Sequence, residues 1–434
     1  MGLSTTDNTN DGISSDPEKQ GMSARQISLD PSQWRSLNGS KQRKKIFVVA
    51  TGLVMLFNSV FDSTIPSGGI RFIANGLHVH NETQLVLPTS VYLLGYVTGP
   101  LAFGPLSEIY GRRIVLVGSY VLFTIFTLAC AVSPNWPALI IFRTLCGICA
   151  SSPVAVTGGL FADVYRSPLA RGRTMALAMA VTTAGPQFAP LVAGFVGPVG
   201  WRWIFWISLI VAGITLIPVL LLPETFQPVL EQKAGERAND MVTKALTRPL
   251  YMLFCEPIIS FTCLYLSYAS AIFFMYFEAY PLIFQGVYGM SNGIAGLAFI
   301  PIAVGACVGM ALFLWYDSIL RSAKLRKARW STIEEYQRLP LACAGGPLYV
   351  LALFWLGWTA SADIHWIVPM LAGIPFGMAF FLIFVALINY LVDAYHEYAA
   401  SFLSLLMTLI PFVFIRYGDR IRARSKFRQG LGQE

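Results

Sequence analysis

Long apolar runs alternate along the chain with short polar or charged segments. Eleven runs stand out: 46–65, 86–106, 114–132, 137–160, 175–196, 203–222, 258–284, 293–315, 341–359, 367–391 and 398–415. A helix rises ~1.5 Å per residue, so about 20 apolar residues cross the ~30 Å hydrocarbon core of a bilayer. Each run is therefore read as a membrane-spanning helix, numbered here spans 1 to 11. Six spans joined by short loops come first. A polar connection follows, and then a second set. This order suggests an internal repeat of membrane helices. The expected division is a polar, disordered, cytosolic N-terminal tail (1–45), a six-helix bundle (46–222), a cytosolic central loop (223–257), a second bundle with five apparent spans (258–415) and a basic C-terminal tail (416–434). The fold class is an all-α polytopic membrane protein of about 11 spans.

Composition agrees with this pattern. Hydrophobic residues make up 55% of the chain and charged residues only 12%, whereas soluble domains carry about 25% charged residues. The net charge of +8 does not point to nucleic acid, because the basic residues sit between apolar runs. Placing the N-terminus in the cytosol puts Arg112 and Arg113 in loop 2–3 and Arg166, Arg171 and Arg173 in loop 4–5. Loops 6–7 and 8–9 add Lys233, Arg237, Lys244, Arg248, Arg321, Lys324, Arg326, Lys327, Arg329 and Arg338. The opposite loops hold Arg71 and Arg202. This asymmetry obeys the positive-inside rule. It sets Asn81, in the glycosylation sequon Asn81-Glu82-Thr83, outside. No apolar core precedes the basic cluster ending at Lys45, so span 1 is expected to direct insertion.

Charges at membrane depth are costly and usually face a cavity or a partner. Three stand out. Asp62 lies near the outer end of span 1, where it could reach water, with Asn58 and Ser59 on the same helix face. Glu278 lies in span 7 and Arg143 in span 4. A carboxylate there can bind protons or a cationic substrate, and an arginine can tune proton affinity. An interfacial or purely structural ion pair is the blander alternative. Gln187 and Asn389 are further polar candidates. In span 4, Arg143, Gly147 and Ser151 recur every four residues. In span 5, Gly185, Pro186, Pro190 and Gly194 combine close helix contact with helix bending. The turn from Gly104 to Arg113 carries Glu108, Gly111 and Arg112, and Asp163 ends span 4 near the same surface. Such an acid–arginine network can latch helices in one conformational state.

Enzyme chemistry finds no foothold. There is no His-Glu-x-x-His, no phosphate loop and no nucleophile elbow. Cys146 and Cys149 form a lone Cys-x-x-Cys at membrane depth, better read as small packing residues than as a metal site. Neither a cofactor nor a metal is expected.

These motifs resemble the major facilitator superfamily, and within it the fungal branch of twelve-span drug:proton antiporters. Gly104 to Arg113 looks like the loop 2–3 signature, with Glu108 in place of the usual aspartate. Arg143, Gly147 and Ser151-Ser152-Pro153 look like the span 4 signature, whose arginine is linked to proton transfer. Gly185 to Gly194 resembles the span 5 antiporter signature, with Ala189 and Ala193 where glycines are usual. Pro223-Glu224-Thr225, Phe277-Glu278-Ala279-Tyr280-Pro281 and Asn389 to Tyr395 also resemble that branch. The resemblance implies two six-helix bundles around a central cavity, alternating access driven by protons, and export of drugs, fungal metabolites or polyamines. A monomer working with a small-molecule substrate, protons and the lipid bilayer is expected, in the plasma membrane or else the vacuolar membrane. Two alternatives are a nutrient importer of the same fold and a non-transporting receptor, scaffold or membrane enzyme. The pattern breaks after Ser401. Tyr398 to Phe402 looks like the start of span 11, and Pro411 to Gly418 like the end of span 12. Spans 11 and 12 are thus expected to be fused and shortened, which would set the basic tail on the wrong side and could leave a non-functional variant.

Overall fold

The computed structural model describes residues 38–79, 81–165, 167–225, 257–326 and 334–394. Among them, every regular element is helical. The expected span 11 at 398–415, the basic tail at 416–434 and most of the central loop lie outside the described residues. The side chains of Glu108 and Glu278 do too, although both positions are helical.

Among the described residues, ten helical segments are long and apolar enough to cross a bilayer: Gln42–Gly76, Gln84–Ser107, Arg112–Ala131, Trp136–Val164, Ala170–Val196, Trp201–Leu220, Ser260–Val287, Asn292–Leu325, Leu339–Thr359 and Ile367–Leu391. They correspond in order to spans 1 to 10. Several run further than the apolar pattern predicts. Span 1 was expected to stop at 65, before Pro66-Ser67-Gly68-Gly69. Instead its helix continues to Gly76, with a non-helical kink at Gly69. The small residues serve contact rather than termination. A Cβ on Gly68 would lie 2.2 Å from the Pro190 carbonyl oxygen of span 5. Span 8 likewise continues to Leu325, so Asp317 and Arg321 are helical rather than loop residues. Span 5 begins as a helix at Pro168, which makes Arg171 and Arg173 helical as well.

The apolar side chains gather into three cores. Two are built from spans 1 to 6 and the residues just beyond them. The third is built from spans 7 to 10 together with Ala176 and Met179 of span 5. Backbones approach closely where a glycine of one span meets the backbone of another. A Cβ on Gly147 of span 4 would lie 2.1 Å from the Tyr92 carbonyl oxygen of span 2. The equivalent contact in the later set joins Gly377 of span 10 to Ile302 of span 8, at 2.1 Å. Small residues allow such contacts, and dispersion then holds helices together in lipid, where burial alone drives little association. Span 9 turns Leu351, Phe354, Trp355 and Trp358 outward, as a lipid-facing helix does.

Candidate functional site

The central feature of spans 1 to 6 is an ion pair between Asp62 and Arg143. Arg143 Nη1 lies 2.8 Å from Asp62 Oδ2, and both side chains are fully buried. This corrects the expectation that Asp62 reaches water. The helix runs fourteen residues past Asp62, and other spans enclose it. The second guanidinium nitrogen, Nη2, donates to the Asp62 backbone carbonyl at 2.7 Å. That carbonyl is free for a specific reason. Its helical partner would be the N–H four residues on, at Pro66, and proline has none. Nε of Arg143 donates to the Pro88 carbonyl at 3.3 Å. The other Asp62 oxygen receives the Ser208 hydroxyl of span 6. The Cys146 thiol lies 3.5 Å from Asp62 Oδ2. The face of Tyr92 packs on the guanidinium, 4.4 Å from its carbon, a favourable cation–π arrangement.

A hydroxyl network adjoins this pair. The Tyr92 hydroxyl donates to the Ser59 carbonyl at 2.7 Å. Ser59 Oγ donates to the Ala150 carbonyl and shares a 3.0 Å contact with the Tyr96 hydroxyl. Asn58 donates to the Tyr120 hydroxyl at 2.6 Å, while its buried Oδ1 has no partner among the described residues. The polar stripe anticipated on span 1 is thus real, and it faces spans 2, 3, 4 and 6.

Beside the network lies a cavity of about 780 Å³, counting its open mouth. Its walls come from early and late spans together. Ser63, Tyr96, Thr182, Thr183 and Ser270 contribute hydroxyls, and Phe273, Phe274, Phe380 and Phe384 contribute rings. Phe273 stacks on Phe380 at 4.2 Å, and Phe380 packs against Phe384 at 4.4 Å. The wall is apolar with a few placed hydroxyls.

The span 5 motif shapes the same cavity. Pro186 lines it directly. Pro190 has no N–H for the Pro186 carbonyl, and Thr64 of span 1 donates to that carbonyl instead, at 2.9 Å. Gly185 faces Val60 and Phe57 of span 1, and Gly194 faces the Asn292 backbone of span 8. Gln187 is buried and donates to Thr183 of its own helix at 3.2 Å. Asn389 is also buried, and its amide donates to Val385 of its own helix at 2.9 Å. The geometry does not bring Asn389 to the ion pair.

A second charged cluster sits where spans 2 and 3 meet. Only Gly111 leaves the helical conformation, with φ +96°, a value that favours glycine. Gly104 accepts from Ser107 within the preceding helix. Arg112 Nε pairs with Asp163 Oδ2 at 2.5 Å. Glu224, just after span 6, accepts the backbone N–H groups of Arg112 at 3.2 Å and Arg113 at 3.0 Å. A carboxylate at a helix N-terminus meets the positive end of the dipole. The anticipated acid–arginine network therefore includes Glu224. Nearby along the chain order, Arg173 of span 5 pairs with Asp317 of span 8 at 2.9 Å. Ending span 8 at 315 hid that pair. Tyr92, Tyr96 and Ser208 were also missed, although Tyr92 and Tyr96 share one helix face at a four-residue spacing. Asn81 is exposed in the connection between spans 1 and 2.

Ten apolar helices, a buried intramembrane ion pair and a cavity walled by both sets of spans define an integral multi-pass membrane transporter. Residues 47–415 match the family model of the Major Facilitator Superfamily, and the chain belongs to that superfamily. It is 31% identical to the "Efflux pump FUB11" of Gibberella moniliformis, over 89% of this chain and 74% of that one. It is 32% identical to the "MFS-type efflux pump MFS2" of Trichophyton rubrum, over 92% and 76%. It is 33% identical to the "Citrinin biosynthesis cluster MFS transporter mrr1" of Monascus ruber, over 85% of each. Among solved structures, the proton:xylose symporter XylE aligns with a TM-score of 0.67 at 15% identity, covering 89% of this chain and 90% of that one. At that identity the likeness speaks for the fold alone. Family and relatives are transporters, not enzymes.

Proposed function

We propose that this transporter exports small amphiphilic organic molecules in exchange for protons. The observation that carries the reading is the fully buried Asp62–Arg143 pair next to an apolar cavity. Protonating Asp62 would leave the Arg143 charge buried without its carboxylate. Breaking a buried pair in this way costs about 3–5 kcal/mol. Swinging a two-state equilibrium from one side to the other takes ~5.5 kcal/mol. One proton at Asp62 is therefore of the right size to bias alternating access. Arg143 would set the proton affinity, and Glu278 is a candidate for a second carboxylate. Its position follows Ser270 and Phe274, both cavity residues, at four-residue intervals along span 7. Gln187, beside the cavity wall, is a further candidate, whereas the bond Asn389 makes within its own helix favours a structural role.

The working assembly in this reading is a monomer of two helix bundles in the plasma membrane. The Arg112–Asp163–Glu224 cluster serves as the cytosolic latch, and Asn81 can carry a glycan outside. The fungal relatives named as efflux pumps support efflux as the direction. A direct test expresses the chain in cells and follows accumulation of a fluorescent dye. Accumulation should fall on expression and recover with a protonophore. Dye uptake that rises with expression would overturn the export reading.

A further inference from the structure

We propose that Ser59 and Tyr96 are the positioning residues through which cargo in the cavity and the proton state of Asp62 sense each other. The inference rests on the proton-coupled reading above and names the physical link that reading requires.

Asp62 itself does not touch the cavity, and both charges of its pair are fully buried. Cargo must therefore act on the pair through something else. Tyr96 belongs to both places. It forms part of the cavity wall, and its hydroxyl meets Ser59 Oγ at 3.0 Å. Its ring stacks on Tyr92, 6.0 Å centre to centre and 22° apart in plane. Tyr92 in turn holds the Ser59 carbonyl by a 2.7 Å hydrogen bond and lies against the Arg143 guanidinium at 4.4 Å. Ser59 stands one helical turn before Asp62 on the same face of span 1. The chain of contact from cavity to ion pair is thus continuous: Tyr96, then Ser59 and Tyr92, then Arg143 and Asp62.

Hydrogen-bond capacity makes this link sensitive to position. Ser59 has one proton and two oxygen neighbours, the Ala150 carbonyl and the Tyr96 hydroxyl. A shift of Tyr96 against bound cargo changes what Ser59 bonds, and Tyr92 transmits the shift to the arginine. Other groups face Asp62 as well. Arg143 and Cys146 of span 4 and Ser208 of span 6 contact its carboxylate, while Tyr92 of span 2 and Tyr120 and Cys130 of span 3 lie within electrostatic reach. Of these, Tyr92 has a direct ring contact with a residue of the cavity wall.

The test measures binding of ethidium to the purified full chain by fluorescence anisotropy as a function of pH. If Asp62 must be ionised for cargo to bind, affinity rises with pH, by up to about tenfold per pH unit for one proton exchanged. The wild type should show this slope, and Asp62→Asn should lack it. Ser59→Ala and Tyr96→Phe should each flatten the slope, and Ser59→Thr, which keeps the hydroxyl, should restore it. Circular dichroism of each variant confirms that it is folded. A full wild-type slope in folded Ser59→Ala or Tyr96→Phe would overturn the link and leave proton coupling standing. A flat wild type would overturn proton coupling, and the link with it.

Discussion

At the scale of single residues, the chemistry turns on how prolines free carbonyls. Pro66 leaves the Asp62 carbonyl without its helical donor, and Arg143 takes the place at 2.7 Å. Pro66→Ala would supply a competing N–H. Losing one hydrogen bond from the arginine costs about 1.5–3 kcal/mol when a charged group is involved, offset in part by the restored helical bond. The expected outcome is a more regular span 1 with a weaker grip on Arg143. In the dye-accumulation assay this should appear as reduced efflux with little change in melting temperature. Removing a partner outright is more severe. Arg143→Ala leaves Asp62 buried without its countercharge, at a cost of about 3–5 kcal/mol. Melting in detergent should fall sharply for Arg143→Ala. It should partly recover in the double variant Arg143→Ala/Asp62→Asn, which removes the stranded charge. A double variant no more stable than Arg143→Ala alone would argue against mutual neutralisation.

At the scale of helices, apolar length revealed the spans well and their ends poorly. Pro66-Ser67-Gly68-Gly69 has every mark of a helix stop, yet the helix continues because Gly68 meets span 5 and the Pro66 carbonyl partner is reused. In a membrane, tertiary neighbours satisfy what proline releases, and a single sequence does not show those neighbours. The same limit hid Asp317. Its surroundings in sequence are basic and loop-like, but its partner Arg173 lies 144 residues away. The charged candidates themselves were legible, because a charge inside an apolar run is visible without any structure. The pairing of Asp62 with Arg143 was not, since it depends on how spans 1 and 4 face each other. Helix contact also sets what substitutions span 4 accepts. At Gly147 a Cβ would lie 2.1 Å from the Tyr92 carbonyl oxygen. Gly147→Val forces spans 2 and 4 apart and displaces Tyr92 from the guanidinium. Overpacking of this kind costs about 1–3 kcal/mol or more. The variant should reach the membrane in reduced amounts, as read by fluorescence-detected size exclusion.

At the scale of the whole molecule, the question is what joins the early spans to the late ones. Span 5 carries much of that role. It contributes Ala176 and Met179 to the core of spans 7 to 10, and Gly194 meets the backbone of span 8. The Arg173–Asp317 pair adds a charged tie between the same two helices, with Arg321 at 4.0 Å from the same carboxylate oxygen. Arg173 is 41% exposed, so solvent screens the pair, and its contribution to stability is about 0.2–1 kcal/mol. That is small for folding but sufficient to bias two conformations of similar energy. If the tie forms in only one of them, breaking it shifts the population severalfold without unfolding anything, since ~1.4 kcal/mol is a factor of ten. Arg173→Asp should therefore leave melting almost unchanged and alter dye efflux. Asp317→Arg should do the same, although Arg321 then adds repulsion. The exchanged pair Arg173→Asp/Asp317→Arg restores opposite charges across spans 5 and 8 and should recover much of the lost efflux. Raising ionic strength should weaken the tie in the wild type only in part, because Asp317 is buried and only its half-exposed partner meets the salt. Failure of the exchanged pair to outperform both single variants would show that the tie does not govern the transport equilibrium.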